Sequence, residues 1–263
     1  MDTTPELLLR HGRPDEALKL LTQRVRQHPA DARQRVFLFQ LLAVLGQWER
    51  ARAQLDACRE LDAGNAALAG TYAITVQAER QRAAVFAGRA LPTVLGEPDP
   101  WLAHLLQALK LSAGGAHAQA AALRAEAFAQ APAAAGTLDD DRFDWIADAD
   151  PRFGPCLELV VNGGYAWVPF AHVQALRFEA PADLRDTVWA PVAVTWRNGG
   201  EALGFVPVRY PGTELSDDGQ LLLARRTDWS GADGDTGLGQ RMWATDGGDY
   251  PLLDVRQILF DPT

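Results

Sequence analysis

Apolar residues in the first half of the chain recur every three or four positions, and in the second half they fall into short runs broken by turns. The two patterns predict helices and then strands. Leu102, Leu105, Leu106 and Leu109 show the first pattern most clearly, at i, i+3, i+4 and i+7 of a helix starting near Trp101, with Asp99 as N-cap and Pro100 in the first turn. Residues 66–88 read as one long helix with Tyr72, Val76 and Phe86 among its apolar positions, and residues 117–130 as an Ala-rich one. The stretch 91–100 holds three prolines and a glycine, which end the long helix.

The helical half repeats itself. Gly12 to Ala17 and Gly46 to Ala51 lie 34 residues apart, Leu21 and Leu55 keep that offset, and Gly115, Ala120 and Pro132 reproduce the internal spacings of five and seventeen seen at Gly12, Ala17 and Pro29. This is the tetratricopeptide period, in which glycine permits the sharp turn between paired helices and alanine their close approach. Each hairpin leaves an apolar face that only a stacked neighbour covers. A plain helical bundle is the alternative.

Beyond Pro155 the signals are those of antiparallel strands. Cys156–Val161 and Tyr165–Phe170 flank Asn162-Gly163-Gly164, while Thr187–Trp196 and Glu201–Val208 flank Arg197-Asn198-Gly199-Gly200. Leu221–Arg226 and Val255–Phe260 are further candidates, and Ser230–Gly239, with four glycines, reads as a mobile or ligand-shaped loop. The expected architecture is α+β and multidomain: TPR-like helical hairpin repeats over 1–137, an ordered linker over 138–155, and a smaller antiparallel β-rich, partly open barrel-like domain over 156–263. In the linker, Phe143 and Trp145 stand two apart, ahead of acids and prolines. They are candidates for plugging the seam between the domains or for docking a partner.

Charge narrows the classes of partner. Residues 1–137 carry 15 Lys+Arg against 13 Asp+Glu, which leaves 10 against 21 for the rest, so a net charge of −9 divides into about +2 and −11. The acidic half repels phosphate backbones and the first half has no basic stripe, so a basic protein surface is a better partner than nucleic acid. No window approaches the ~20 apolar residues of a membrane span, and Met1-Asp2-Thr3-Thr4-Pro5-Glu6 has no basic region followed by an apolar core, so membrane insertion is not expected and a cytoplasmic location is. Cys58 and Cys156 are too few for a disulfide framework and read as buried small hydrophobes.

The motifs of cofactor chemistry do not form. Gly237-Leu238-Gly239-Gln240-Arg241-Met242 lacks the last glycine of a dinucleotide fingerprint, and no glycine-rich loop is followed by a Walker lysine. The histidines at 11, 28, 104, 117 and 172 have no metal-ligand spacing, and the acids at 139, 140, 141, 144, 148 and 150 lack the glycine and glutamate of a calcium loop, which favours a solvated acidic stretch. No catalytic, cofactor or metal residue is assigned. The classes left are an adaptor, a structural subunit of a larger assembly and, with only unpaired candidate groups, an enzyme.

Five stretches carry a resemblance. F-D-W-I-A-D-A-D-P-R-F-G-P (143–155), W-V-P-F (167–170), D-L-R-D-T-V-W-A-P (183–191), G-F-V-P-V-R-Y-P-G (204–212) and G-L-G-Q-R-M-W-A-T-D (237–246) together resemble the ImpE/TagJ family, accessory proteins of bacterial type VI secretion. The resemblance implies a helical repeat domain followed by a β-rich one, and a non-enzymatic cytoplasmic adaptor of the contractile sheath. It implies as partners the N-terminal helix of the small sheath subunit TssB and, through it, the ClpV ATPase. In tetratricopeptide arrays the first helix of each hairpin lines the concave face, and Arg33, Val36, Gln40 and Val44 share one side of such a helix. They are the candidate partner-binding residues; the alternative places Val36 and Val44 in the core between hairpins.

Overall fold

The computed structural model describes residues 3–96, 99–231 and 236–262. Its helical part consists of α1 (Pro5–Arg10), α2 (Pro14–Gln27), α3 (Ala32–Val44), α4 (Trp48–Leu61), α5 (Ala66–Phe86), α6 (Pro100–Ala113) and α7 (His117–Gln130). Helix starts follow local chemistry: Thr4 Oγ1 accepts from Leu7 N at 3.2 Å and Asp31 Oδ1 from Gln34 N at 3.1 Å, while Pro5, Pro14 and Pro100 occupy first-turn positions. Gly12 and Gly46 take φ of +70° and +63° between paired helices, conformations open to glycine, and Ala17 and Ala51 are fully buried beyond them. Thus α1/α2 and α3/α4 are two successive TPR-like hairpins and α5 stands as the first helix of a third. The chain then passes through β1 (Thr93–Val94) to the separate hairpin α6/α7.

The remaining strands are β2 (Gly136–Leu138), β3 (Asp141–Phe143), β4 (Ile146–Asp148), β5 (Cys156–Val161), β6 (Gly164–Pro169), β7 (Val173–Phe178), β8 (Trp189–Trp196), β9 (Glu201–Pro207), β10 (Thr227–Ser230), β11 (Thr236–Gly239), β12 (Met242–Thr245), β13 (Asp249–Pro251) and β14 (Gln257–Phe260). Among the described residues they build a nine-stranded sheet in the order β1-β6-β5-β9-β8-β7-β14-β2-β3, a three-stranded β13-β12-β4 sheet and a β10-β11 hairpin. The sheets are open and none closes into a barrel. Among the described strands only β1 runs parallel to its neighbour; the β5/β6 turn carries Asn162 and Gly163 at φ +51° and +84°, as a two-residue hairpin requires.

Three stretches differ from the sequence reading. Leu221–Arg226 is not a strand: Asp218 Oδ1 accepts from Gln220 N at 2.7 Å and starts the short helix α8 (Gly219–Leu222), whose Leu221 and Leu222 are both buried, as is the following Leu223. An apolar run without alternation does not distinguish strand from helix, and the cap decided. The stretch expected as a linker carries the end of β2 and all of β3 and β4, which pair with β14, β2 and β12 respectively. Of Ser230–Gly239, read as a loop, Thr236–Gly239 is strand β11 paired with β10, and 232–235 lie outside the described residues.

Period-2 alternation gives the large sheet two buried faces. Leu157, Leu159 and Val161 of β5 point into a β-rich core with Leu176, Val192, Trp243 and Ile258, whereas Cys156 and Val160 point toward the helices. Helical and β-rich parts share their remaining cores: Val188, Trp189, Leu222 and Leu223 pack with α1–α5, and Tyr165, Trp167, Phe153 and Tyr210 pack with α5–α7. Phe143, a candidate for the seam or for docking a partner, is buried in the β-rich core edge-on to Phe260 at 6.1 Å; from the same stretch it is Phe153 that packs against the helices, 5.3 Å from Phe86 and 5.4 Å from Trp167.

Candidate functional site

The first helices of the stacked hairpins, α1, α3 and the start of α5, line a groove of about 570 Å³. Arg33, Val36, Phe37 and Gln40 line it from α3 and Asn65 and Leu68 from the start of α5, with the exposed Glu6 and Asp62 at the rim and Ala182, Asp183 and Leu184 of the β-rich part completing the lining. This is the concave face that the repeat period predicts, and it brings together three of the four sequence candidates. Val44 is not among them. It is fully buried in the helical core, because the β-rich part covers the end of α3: Arg209 Nη1 donates to the Val44 carbonyl at 2.5 Å and to Leu222 O at 2.7 Å, and Arg209 Nη2 to Ala43 O at 3.3 Å.

Exposure along α3 therefore falls from the exposed Arg33 through the half-buried Val36 and Phe37 to the buried Gln40 and Val44. A signal for this stood in the sequence. From Val36 to Leu45 only Gln40 is polar, and a helix apolar on all sides is enclosed by its neighbours.

A second cleft, of about 440 Å³, runs beside β4 and is lined by Phe128, Ala131 and Pro132 of the helical part with Trp145, Ile146 and Pro151 of the β-rich part. Trp145 is 42% and Phe128 37% exposed at its edge. Trp145 hangs on a turn held by Asp246, whose Oδ1 accepts from Asp144 N at 2.8 Å. Thus Phe143 is a core residue and Trp145 a surface one, although two positions separate them.

A buried polar network that sequence reasoning missed lies between the helices and the sheet. Arg82 of α5 donates through Nε and Nη2 to the two oxygens of Glu158 on β5, each at 2.8 Å, and through Nη2 to Arg209 O at 2.7 Å. Glu158 also accepts from Tyr165 Oη and from Arg241 Nη2, and Arg241 Nη1 reaches Asp148. Asp148 in turn accepts from Tyr210 Oη at 3.0 Å, and Asp150 accepts from Gly237 N at 2.9 Å. Glu79, 3.5 Å from Arg82, accepts the Trp189 indole N–H at 2.8 Å. Asp148 and Asp150, read in sequence as part of a solvated acidic stretch, are buried, whereas Asp139, Asp140, Asp141 and Asp144 are exposed.

Burial decides the electrostatics. It would raise the Glu158 carboxyl, but Arg82 and Arg241 together hold it below the ordinary glutamate range. Burial raises Asp148 to about 7 against the pull of Arg241, and lowers Arg209 to about 10. A carboxyl whose folded value lies above its unfolded one binds a proton in the native state that the unfolded chain releases. Its stabilisation is complete below the unfolded value and is lost as pH rises through about 7. Urea unfolding from pH 5 to 8 is expected to show stability falling with pH in the wild type and a flatter profile in Asp148→Asn. Equal slopes would contradict the assignment.

Residues 140–259 match the model of the ImpE protein family, and residues 8–74 a tetratricopeptide repeat model. The type VI secretion system accessory component TagJ of Pseudomonas aeruginosa is 48% identical over 260 residues, covering 98% of this chain and 91% of that protein. The chain belongs to the ImpE/TagJ family. A crystal structure of a Vibrio parahaemolyticus protein superposes with a TM-score of 0.90 at 26% identity, over 99% of this chain and 98% of that one. The family motifs contribute part of the buried network: Asp148 and Asp150 come from the first, Trp189 from the third, Arg209 and Tyr210 from the fourth and Arg241 from the fifth, whereas Glu79, Arg82 and Glu158 lie outside them. Of these, Trp189 and Arg209 bond directly to the repeat helices. Among the described residues no helix is long and apolar enough to cross a membrane.

Proposed function

We propose that the protein is a non-enzymatic cytoplasmic adaptor of type VI secretion whose concave groove holds a helix of the small sheath subunit, TssB-like, and through that grip links the sheath to the ClpV ATPase. The observation that carries this reading is the groove itself. Val36, Phe37 and Leu68 offer apolar surface on the inner side of stacked repeat helices, and Arg33, Glu6 and Asp62 border it with charge. An amphipathic helix laid in such a groove buries its apolar stripe and keeps its polar edge in water. The repeat match and the relationship to a type VI secretion accessory component support a protein partner from that machine.

Val36→Asp places a charge on the groove wall at a half-buried position, whereas Val44→Asp would charge the core and is no test of binding. Calorimetric titration of the intact protein with a peptide of the cognate sheath subunit's N-terminal helix is expected to give micromolar affinity, roughly −7 to −9 kcal/mol. Val36→Asp is expected to weaken it tenfold or more with little change in thermal unfolding. Wild-type affinity in the folded variant would move the site off this face.

A further inference from the structure

We infer that the turn 182–187, contributed by the β-rich region, is the end wall of the groove and limits the partner to an apolar face of about two helical turns. The inference rests on the reading of the groove as the partner site. Ala182, Asp183 and Leu184 line the groove together with the repeat helices, so the site is built from both parts of the chain. The turn is held in place on every side. Asp186 Oδ2 accepts from Ala182 N at 2.9 Å and Asp183 N at 2.8 Å, and Asp183 caps the short 3-10 helix Leu184–Thr187 in return. Arg185 Nε donates to the Tyr72 hydroxyl of α5 at 2.7 Å, and its guanidinium lies 5.0 Å from the centre of that ring.

The latch is anchored on Tyr72, whose ring centre lies 5.6 Å from that of Phe39 beside Gln40. The stretch of α3 from Arg33 to Gln40 spans eight residues and seven residue rises, about 10 Å at 1.5 Å per residue. Two turns present anchors at i, i+3 or i+4, and i+7, which is the set that Val36, Leu68 and Leu184 can receive. Leu184 is half-buried, packed from below on the helical core, and leaves the rest of its side chain to the groove. With Glu6 and Asp62 against Arg33 on the rim, and Asp183 already paired with Arg185, the net charge there is negative. A partner helix with Lys or Arg beside its apolar anchors complements it.

The test uses the intact protein and the sheath-subunit helix peptide. Leu184→Ala is expected to weaken binding five- to tenfold, and Tyr72→Phe, which removes only the hydroxyl that holds Arg185, about threefold. Leu203→Ala, on the exposed end of β9 and absent from the groove lining, is expected to bind as the wild type does. A peptide trimmed to two turns of anchors is expected to keep the affinity of the full helix. Unchanged binding in both Leu184→Ala and Tyr72→Phe, alongside weakened binding in Val36→Asp, would overturn the wall and leave the groove reading intact. Absence of binding to the wild type would remove both. Should Leu184→Ala fail to fold, Tyr72→Phe and the trimmed peptide decide.

Discussion

Glu158→Gln is expected to destabilise the protein by about 3–5 kcal/mol, the cost of breaking a buried ion pair by removing one partner. The geometry makes the loss severe. Glu158 is fully buried and is the anion between Arg82 on α5 and Arg241 ahead of β12, so the amide leaves two buried guanidinium groups sharing one charge fewer. Asp148 remains with Arg241 and Glu79 with Arg82, which brings the loss toward the middle of the range rather than its top. At roughly 2–4 °C per kcal/mol for a chain of this size, the melting temperature should fall by about 10 °C. Arg142→Ala, which breaks an exposed pair with Asp261, serves as the control with no measurable change. A melting temperature for Glu158→Gln within a degree or two of the wild type would refute the network's role in joining the helices to the sheet.

Trp189→Ala is expected to cost about 3–5 kcal/mol, as truncation of a fully buried aromatic does. Its ring lies 5.9 Å from both Trp48 and Tyr72, so the cavity would open between the α4 and α5 helices and the sheet, and Glu79 would lose the indole donor at 2.8 Å. The same contacts bear on how the chain divides. A fragment ending at residue 137 strips Val188, Trp189, Leu222 and Leu223 from the helical core and Arg209 from the end of α3. We therefore expect the fragment to aggregate or to unfold without a sharp transition, and the intact chain to unfold in one step by circular dichroism and tryptophan fluorescence alike. Two separated transitions in the intact protein, or a cooperatively folded fragment, would contradict the shared core.

Much of this architecture was legible in the sequence because it rests on local chemistry. Glycine and alanine at fixed offsets marked the hairpins, and Asn162-Gly163 marked the β5/β6 turn with its strand limits close to those observed. What escaped was long-range. Glu79 and Arg82, three apart on a helix, look like an ordinary surface pair, and only the docking of α5 on β5 and β6 turns them inward against Glu158 and Trp189. Val44 continues the stripe of Arg33, Val36 and Gln40 in one dimension, yet Arg209, 165 residues away, covers that end of the helix. Phe143 and Trp145 have opposite environments because β3 ends between them, which spacing along a supposed linker does not reveal. The groove could thus be proposed from period alone, while the rest of its lining depended on a turn far along the chain.

We propose that the partner helix lies in the concave groove between α3, α5 and the turn 182–187. Amide hydrogen exchange of the intact protein, with and without saturating sheath-subunit helix peptide, locates it directly. The account predicts slowed exchange confined to residues 33–40, 65–68 and 182–187, with the cleft beside Trp145 and Phe128 unchanged. Protection confined to the 128–133 and 145–151 segments, with none along α3, would contradict it.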